Sequence, residues 1–198
     1  MLGIGALAGA VDVGSLAAET DSPRPVDDKW DLSWVKKVKS AKYRAVFDSP
    51  SVGDAASRAA MWHSQYASVF GLADSKLAAV LVIRHQGIAQ AMDDEFWDTF
   101  DIAKLVAKQR HEDEPSNPPK GNPGRREIES FVSKGGIVLA CNLAFGQMVS
   151  KYRGKGITGD DARKEAMKHL LNGIVLQPSG PFALMRAQDE GCGYMMAS

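Results

Sequence analysis

The chain has 198 residues, 24 basic and 24 acidic side chains, and two cysteines, Cys141 and Cys192. That length suits one domain, and 44% apolar residues suffice for a full core. Zero net charge excludes a nucleic-acid binder that works through a bulk basic field, and two cysteines exclude a disulfide scaffold or a four-cysteine zinc site.

Residues 2–11 (LGIGALAGAV) form an apolar run of small residues, too short to span a bilayer as a helix. Ser15, Ala17 and Ala18 follow at the spacing a signal peptidase needs, but no Lys or Arg occurs before Arg24. Residues 1–18 therefore read as a truncated export signal, or else as a flexible Gly/Ala-rich tail. The first reading makes the protein periplasmic or secreted, with no membrane span in its mature form; the second leaves it cytoplasmic. Residues 19–29 are polar and Pro-containing, as a linker is. The folded domain is expected over 30–198.

A short β-prone run at 43–47 ends in the turn signal Asp48-Ser49-Pro50. Helical spacing follows over 54–70, with Asp54 as cap. The continuous apolar run 77–83 (LAAVLVI) reads as a buried parallel strand, ending before His85. Residues 93–108 read as one helix, with Phe96, Trp97, Phe100, Ile102 and Leu105 on its apolar side. A Pro/Gly-rich insertion, 112–125, excludes helix and strand. Further helices are expected at 126–134, 143–152, 160–171 and 181–189. Strands are expected at 136–140, 174–176 and 193–196. This alternation describes an α/β layered sheet with right-handed crossovers and helices on both faces.

Chemistry in such sheets sits beyond the carboxyl ends of the strands. That rule singles out Asp48, His85, Cys141, Asn142 and the turn from Gln177 through Ser179 to Gly180. No dinucleotide, phosphate-loop, zincin, nucleophile-elbow or CxxC motif is present, and no histidine spacing calls for a metal. No cofactor is implied. His85, between a buried strand and a glycine turn, suits an acid, a base or a donor; the bland reading is a brace for the turn. Cys141 sits between a strand and a helix start, where free N–H groups stabilise a thiolate. Its bland reading is a small buried hydrophobe. The Gln177-to-Gly180 turn opens a helix whose backbone N–H groups could hold an anion. Cys192 is a resolving thiol, a partner for Cys141, or neither.

Three segments carry a family likeness: 80–87 (VLVIRHQG), 136–146 (GIVLACNLAFG) and 173–194 (GIVLQPSGPFALMRAQDEGCGY). They resemble the DsrE/DsrF-like group, small α/β proteins linked to sulfur relay and sulfur oxidation, and the likeness covers most of 43–196. The resemblance implies a single flavodoxin-like three-layer domain with a mostly parallel five-stranded sheet and no flavin. It also implies a homo-oligomer, trimer or hexamer, and a persulfide at Cys141 exchanged with a sulfur donor or acceptor protein. The signal-like N-terminus, the lead-in at 30–38 and the 112–125 insertion set the chain apart from the small cytoplasmic members. Two other readings remain: a non-catalytic module for ligand binding or assembly, and a His85-dependent enzyme or haem binder.

Overall fold

The computed structural model describes residues 29–113 and 116–197. The export-signal reading of 1–18, and all of the expected linker but Lys29, lie outside the described residues. The elements in chain order are α1 (Trp34–Ser40), β1 (Tyr43–Ser49), α2 (Ala55–Phe70), β2 (Leu77–Ile83), α3 (Asp94–Thr99), α4 (Ile102–Gln109) and α5 (Arg125–Ser133). Then come β3 (Ile137–Cys141), α6 (Asn142–Gly154), α7 (Gly159–Lys168), β4 (Ile174–Gln177), α8 (Gly180–Asp189) and β5 (Gly193–Met196). A 3-10 stretch, His85–Ala91, follows β2.

The five strands form one sheet in the order β4-β3-β2-β1-β5, and every pairing is parallel. Each of the first three steps moves the chain the same way across the sheet. Right-handed crossovers then put α2, α5 and α6 on one face. The step from β4 to β5 runs back past β1, so α8 crosses the opposite face, beside α1. Side-chain alternation along the strands confirms the two layers. Phe47, Leu81 and Val138 pack with Ala59, Phe131 and Phe145, whereas Val46, Val80 and Leu139 pack with Val38 and Ala187. The architecture is a three-layer α/β domain of the flavodoxin-like kind.

Most expected elements stand within two or three residues of their sequence limits, with one exception. The single helix expected over 93–108 is two helices, broken at Phe100 and Asp101, the latter with a left-handed φ of 48°. The apolar spacing explains the break. Phe96 and Phe100 lie four apart, but Ile102 follows only two residues later, on the wrong side of a continuous helix. The chain turns there, and both Phe96 and Ile102 are buried. The insertion has no helix or strand among its described residues until α5 starts at Arg125. Its second half is nonetheless pinned to α3 and its approach: Asn122 donates through Nδ2 to the carbonyls of Gln90 and Met92, and the Asp98 carboxylate accepts from the Gly121 N–H.

Among the described residues, no helix is long and apolar enough to cross a membrane.

Candidate functional site at the carboxyl edge of the sheet

The loop leaving β3 leads to α6 on one face, and the loop leaving β4 leads to α8 on the other. Where neighbouring loops diverge in this way, an open α/β sheet has its ligand crevice. Cys141 and Gln177, the last residues of β3 and β4, are register partners at this point.

Cys141 is 5% exposed and serves as the cap of α6: its Sγ accepts a hydrogen bond from the Ala144 N–H at 3.3 Å. The strand delivers the thiol, and the first turn of the helix supplies the donor.

Arg84 stands just past β2. Its guanidinium forms a two-pronged ion pair with Asp48 near the end of β1, Nε to Oδ1 at 2.6 Å and Nη2 to Oδ2 at 2.7 Å. The Tyr194 hydroxyl of β5 donates to the same Oδ2 at 2.8 Å. Asp48 is 1% exposed, while the Arg84 side chain keeps 17% of its surface in solvent. The hydrogen bonds to Asp48, and then its charge, hold the Arg84 proton more firmly than usual, against the opposing effect of burial. The Tyr194 proton is also held, first by the hydrogen bond to Asp48 and then by the burial of the hydroxyl itself. Three strands are thus locked together by one buried carboxylate, and Arg84 follows Ile83 as Cys141 follows its register partner Ala140.

Gly180, the first residue of α8, lies directly on the Arg84 stem. A Cβ there would come within 2.7 Å of the Arg84 Cβ and 2.8 Å of its Cδ. Only a glycine lets the start of α8 close over that stem. Ser179 caps that helix, its Oγ accepting from the Phe182 N–H at 3.1 Å. Proline at the helix start fits the unpaired first-turn N–H positions.

Other singled-out residues do different work. The Gln177 amide donates to the carbonyls of Asp31 and Leu176, tying the lead-in to the sheet, while its buried Oε1 has no partner among the described residues. The Asn142 Oδ1 accepts from the Arg163 guanidinium at 2.7 Å and links α6 to α7. His85 is exposed, with a left-handed φ of 47°, and its side chain makes no hydrogen bond among the described residues. The structure therefore gathers Asp48, Cys141 and Gly180 around Arg84. It turns the polar side chains of Gln177 and Asn142 to bracing contacts.

Sequence reasoning missed Arg84, Tyr194 and Gln90. Arg84 was legible as the first charged residue after an apolar strand, but its partner depended on strand register. Gln90, 3% exposed, bonds to the Ser49 hydroxyl, the Ser51 carbonyl and the Gly53 N–H. It clamps the loop after β1 against the 3-10 stretch.

Cys192 does not belong to this edge. It precedes β5, whose Gly193 pairs with Ala45 near the start of β1, whereas Cys141 ends β3 beyond the Ile83–Ala140 pair. Six residues of strand rise separate the two levels, about 20 Å, against the roughly 7 Å a disulfide spans between Cα atoms. Both thiols are free. Burial pushes the Cys192 thiol up to about 11, a tendency Glu190 reinforces and Arg44 opposes.

Among the described residues, no three His, Cys, Asp or Glu side chains are grouped as a metal ion requires. No family model matches the chain, and no curated protein matches it. Among solved structures, the chain is similar to a protein of unknown function, MTH1491, from Methanobacterium thermoautotrophicum. The two share 17% identity over 78% of this chain and 98% of that one, with a TM-score of 0.41.

Proposed function

We propose that this protein handles sulfur, with Cys141 as the acceptor, in the manner of the DsrE/DsrF-like group its sequence resembles. The observation that carries the reading is the setting of the Cys141 thiol. It stands at the crevice between diverging loops, capped by the Ala144 N–H, and Arg84 and Cys141 directly follow the register partners Ile83 and Ala140 on adjacent strands. Donors of this kind favour negative charge on sulfur.

In the reaction, the Cys141 sulfur, as thiolate, attacks the outer sulfur of a donor persulfide. A new S–S bond forms on Cys141, the donor's S–S bond breaks, and the donor leaves as a thiolate. The outer sulfur now on Cys141 carries the negative charge toward Arg84. His85, next to Arg84 in the chain and exposed, takes up the proton that the outer sulfur brings from the donor persulfide and returns it when that sulfur leaves. Attack by an acceptor thiolate on that outer sulfur reverses the sequence and frees Cys141.

The resemblance also implies a homo-oligomer, a trimer or hexamer, and the signal-like run at 1–18 makes the protein exported. Exposed Tyr194, Met195 and Met196 on the edge strand β5 support assembly there.

The test is the mass of the purified protein after incubation with a small persulfide donor, with and without reductant. A reducible gain of about 32 Da, lost in Cys141→Ser and kept in Cys192→Ser, is expected. Loading that survives Cys141→Ser overturns the proposal.

A further inference from the structure

A second site lies away from this edge. A cavity of about 490 Å³ opens between the start of α2, the length of α4 and the start of α5, with Pro119 and Pro123 of the insertion in its wall. None of the residues singled out from the sequence as site candidates lines it. Its size is that of a small-molecule pocket, and its surface is mainly apolar. Ala56, Trp97, Ala103, Val106 and Ala107 supply the apolar floor.

The charges around that floor are uneven. Asp54, Glu112, Asp113 and Glu127 line the cavity, against one guanidinium, Arg110. Asp54 is neutralised by Arg58 at 2.8 Å, and this pairing holds its carboxyl below the usual range. Arg110 donates to the Val52 carbonyl. Among the described residues, Glu112, Asp113 and Glu127 have no ion-pair partner. Two helix starts also face the cavity, each worth about half a positive charge. Glu127, in the first turn of α5, and Asp54, ahead of α2, already stand on those ends. Full carboxylate charges outweigh what remains of the dipoles.

We infer that this cavity binds a small organic cation: an amine carried on a compact apolar or aromatic body. The body lies on the alanine and valine floor beside the Trp97 indole, and the ammonium faces Glu127 and the Glu112–Asp113 rim. The site is independent of Cys141 and of sulfur transfer.

The test uses three probes with one phenyl body: 2-phenylethylamine, 2-phenylethanol and 3-phenylpropionate. Each is titrated into the full-length protein while backbone amide shifts are followed. The amine is expected to shift Ala56, Ser57, Ala107 and Gly124 saturably. It should bind about two- to fivefold tighter than the alcohol, the worth of one partly exposed ion pair, and tighter still than the acid. Glu127→Gln should remove most of that preference and leave alcohol binding unchanged. Ala103→Trp fills the cavity and should abolish binding of all three. Ser57→Phe, at an exposed lining position, does the same without burdening the fold. Absence of saturable shifts with every probe overturns the proposal. So does tighter binding of the acid, or amine binding unaffected by either filled variant.

Discussion

Arg84→Met tests whether the carboxyl edge is organised around one buried carboxylate. The substitution keeps the packing of the stem under Gly180 but removes two charge-assisted hydrogen bonds. Asp48, 1% exposed, is left with Tyr194 as its side-chain donor. Breaking a buried pair from one side costs roughly 3–5 kcal/mol; the partial exposure of Arg84 puts this case at the lower end, about 3 kcal/mol. With a urea slope near 2 kcal/mol per molar, the midpoint should fall by about 1.5 M. Asp48→Asn should cost less, about 1.5 kcal/mol, because the stranded guanidinium already reaches solvent and the amide still accepts from Tyr194. The double variant should be more stable than Arg84→Met alone, giving a coupling of about 2 kcal/mol in a double-mutant cycle. Costs that add, or a larger loss for Asp48→Asn, would refute the assignment of the buried charge to Asp48 and of the pair to this edge.

Gly180→Ala should cost about 1–3 kcal/mol, because the new methyl drives the Arg84 stem out of place; a neutral urea midpoint speaks against that packing. Gln90→Leu strands the Gly53 N–H and Ser51 carbonyl and should cost about 2–3 kcal/mol, with faster amide exchange at residues 51–54 as the local signature. Cys192 gives a pH dependence. Its thiol is raised from 9.0 to about 11 by burial, so its contribution is intact below pH 9 and is lost as pH climbs through 11. Wild-type stability should fall more steeply from pH 9 to 11 than that of Cys192→Ala, by at most about 1.4 kcal/mol per pH unit. Equal slopes in urea titrations at pH 8, 9 and 10 would disprove this.

The layered fold was legible because buried parallel strands leave unbroken apolar runs. LAAVLVI at 77–83 and IVLAC at 137–141 have no other economical reading. The last strand, 193–196, is short and its side chains are exposed, so no buried apolar run marks it. Strand order was not written in any segment. That Tyr194 reaches Asp48 follows from β5 pairing with β1, a contact across 146 residues that no local spacing encodes. The same holds for Arg84 and Asp48, which meet only because Ser49 and Ile83 fall in register. The break in the 93–108 helix was present as the two-residue step from Phe100 to Ile102; the overall count of apolar residues masked it. At the candidate site, position after a strand was readable, but the direction of each polar side chain was not. Gln177 and Asn142 illustrate the difference: both stand at the right edge, and both spend their hydrogen bonds on Asp31 and Arg163.

The placement of the two thiols constrains any sulfur chemistry that the protein performs. Cys141 and Cys192 lie at opposite edges of one sheet, separated along the strand direction by about 20 Å of strand rise. No rotamer change closes that gap, and the strands between them form the centre of the sheet. A persulfide on Cys141 therefore has no resolving thiol within its own chain. Cys192 is also unsuited to the role by its environment, since burial keeps its proton in place up to about pH 11. On the proposed reading, sulfur reaches and leaves Cys141 only through a second molecule docked at the crevice. Because Cys141 is 5% exposed, that molecule must present its sulfur on a narrow projection, or the starts of α6 and α8 must part to admit it.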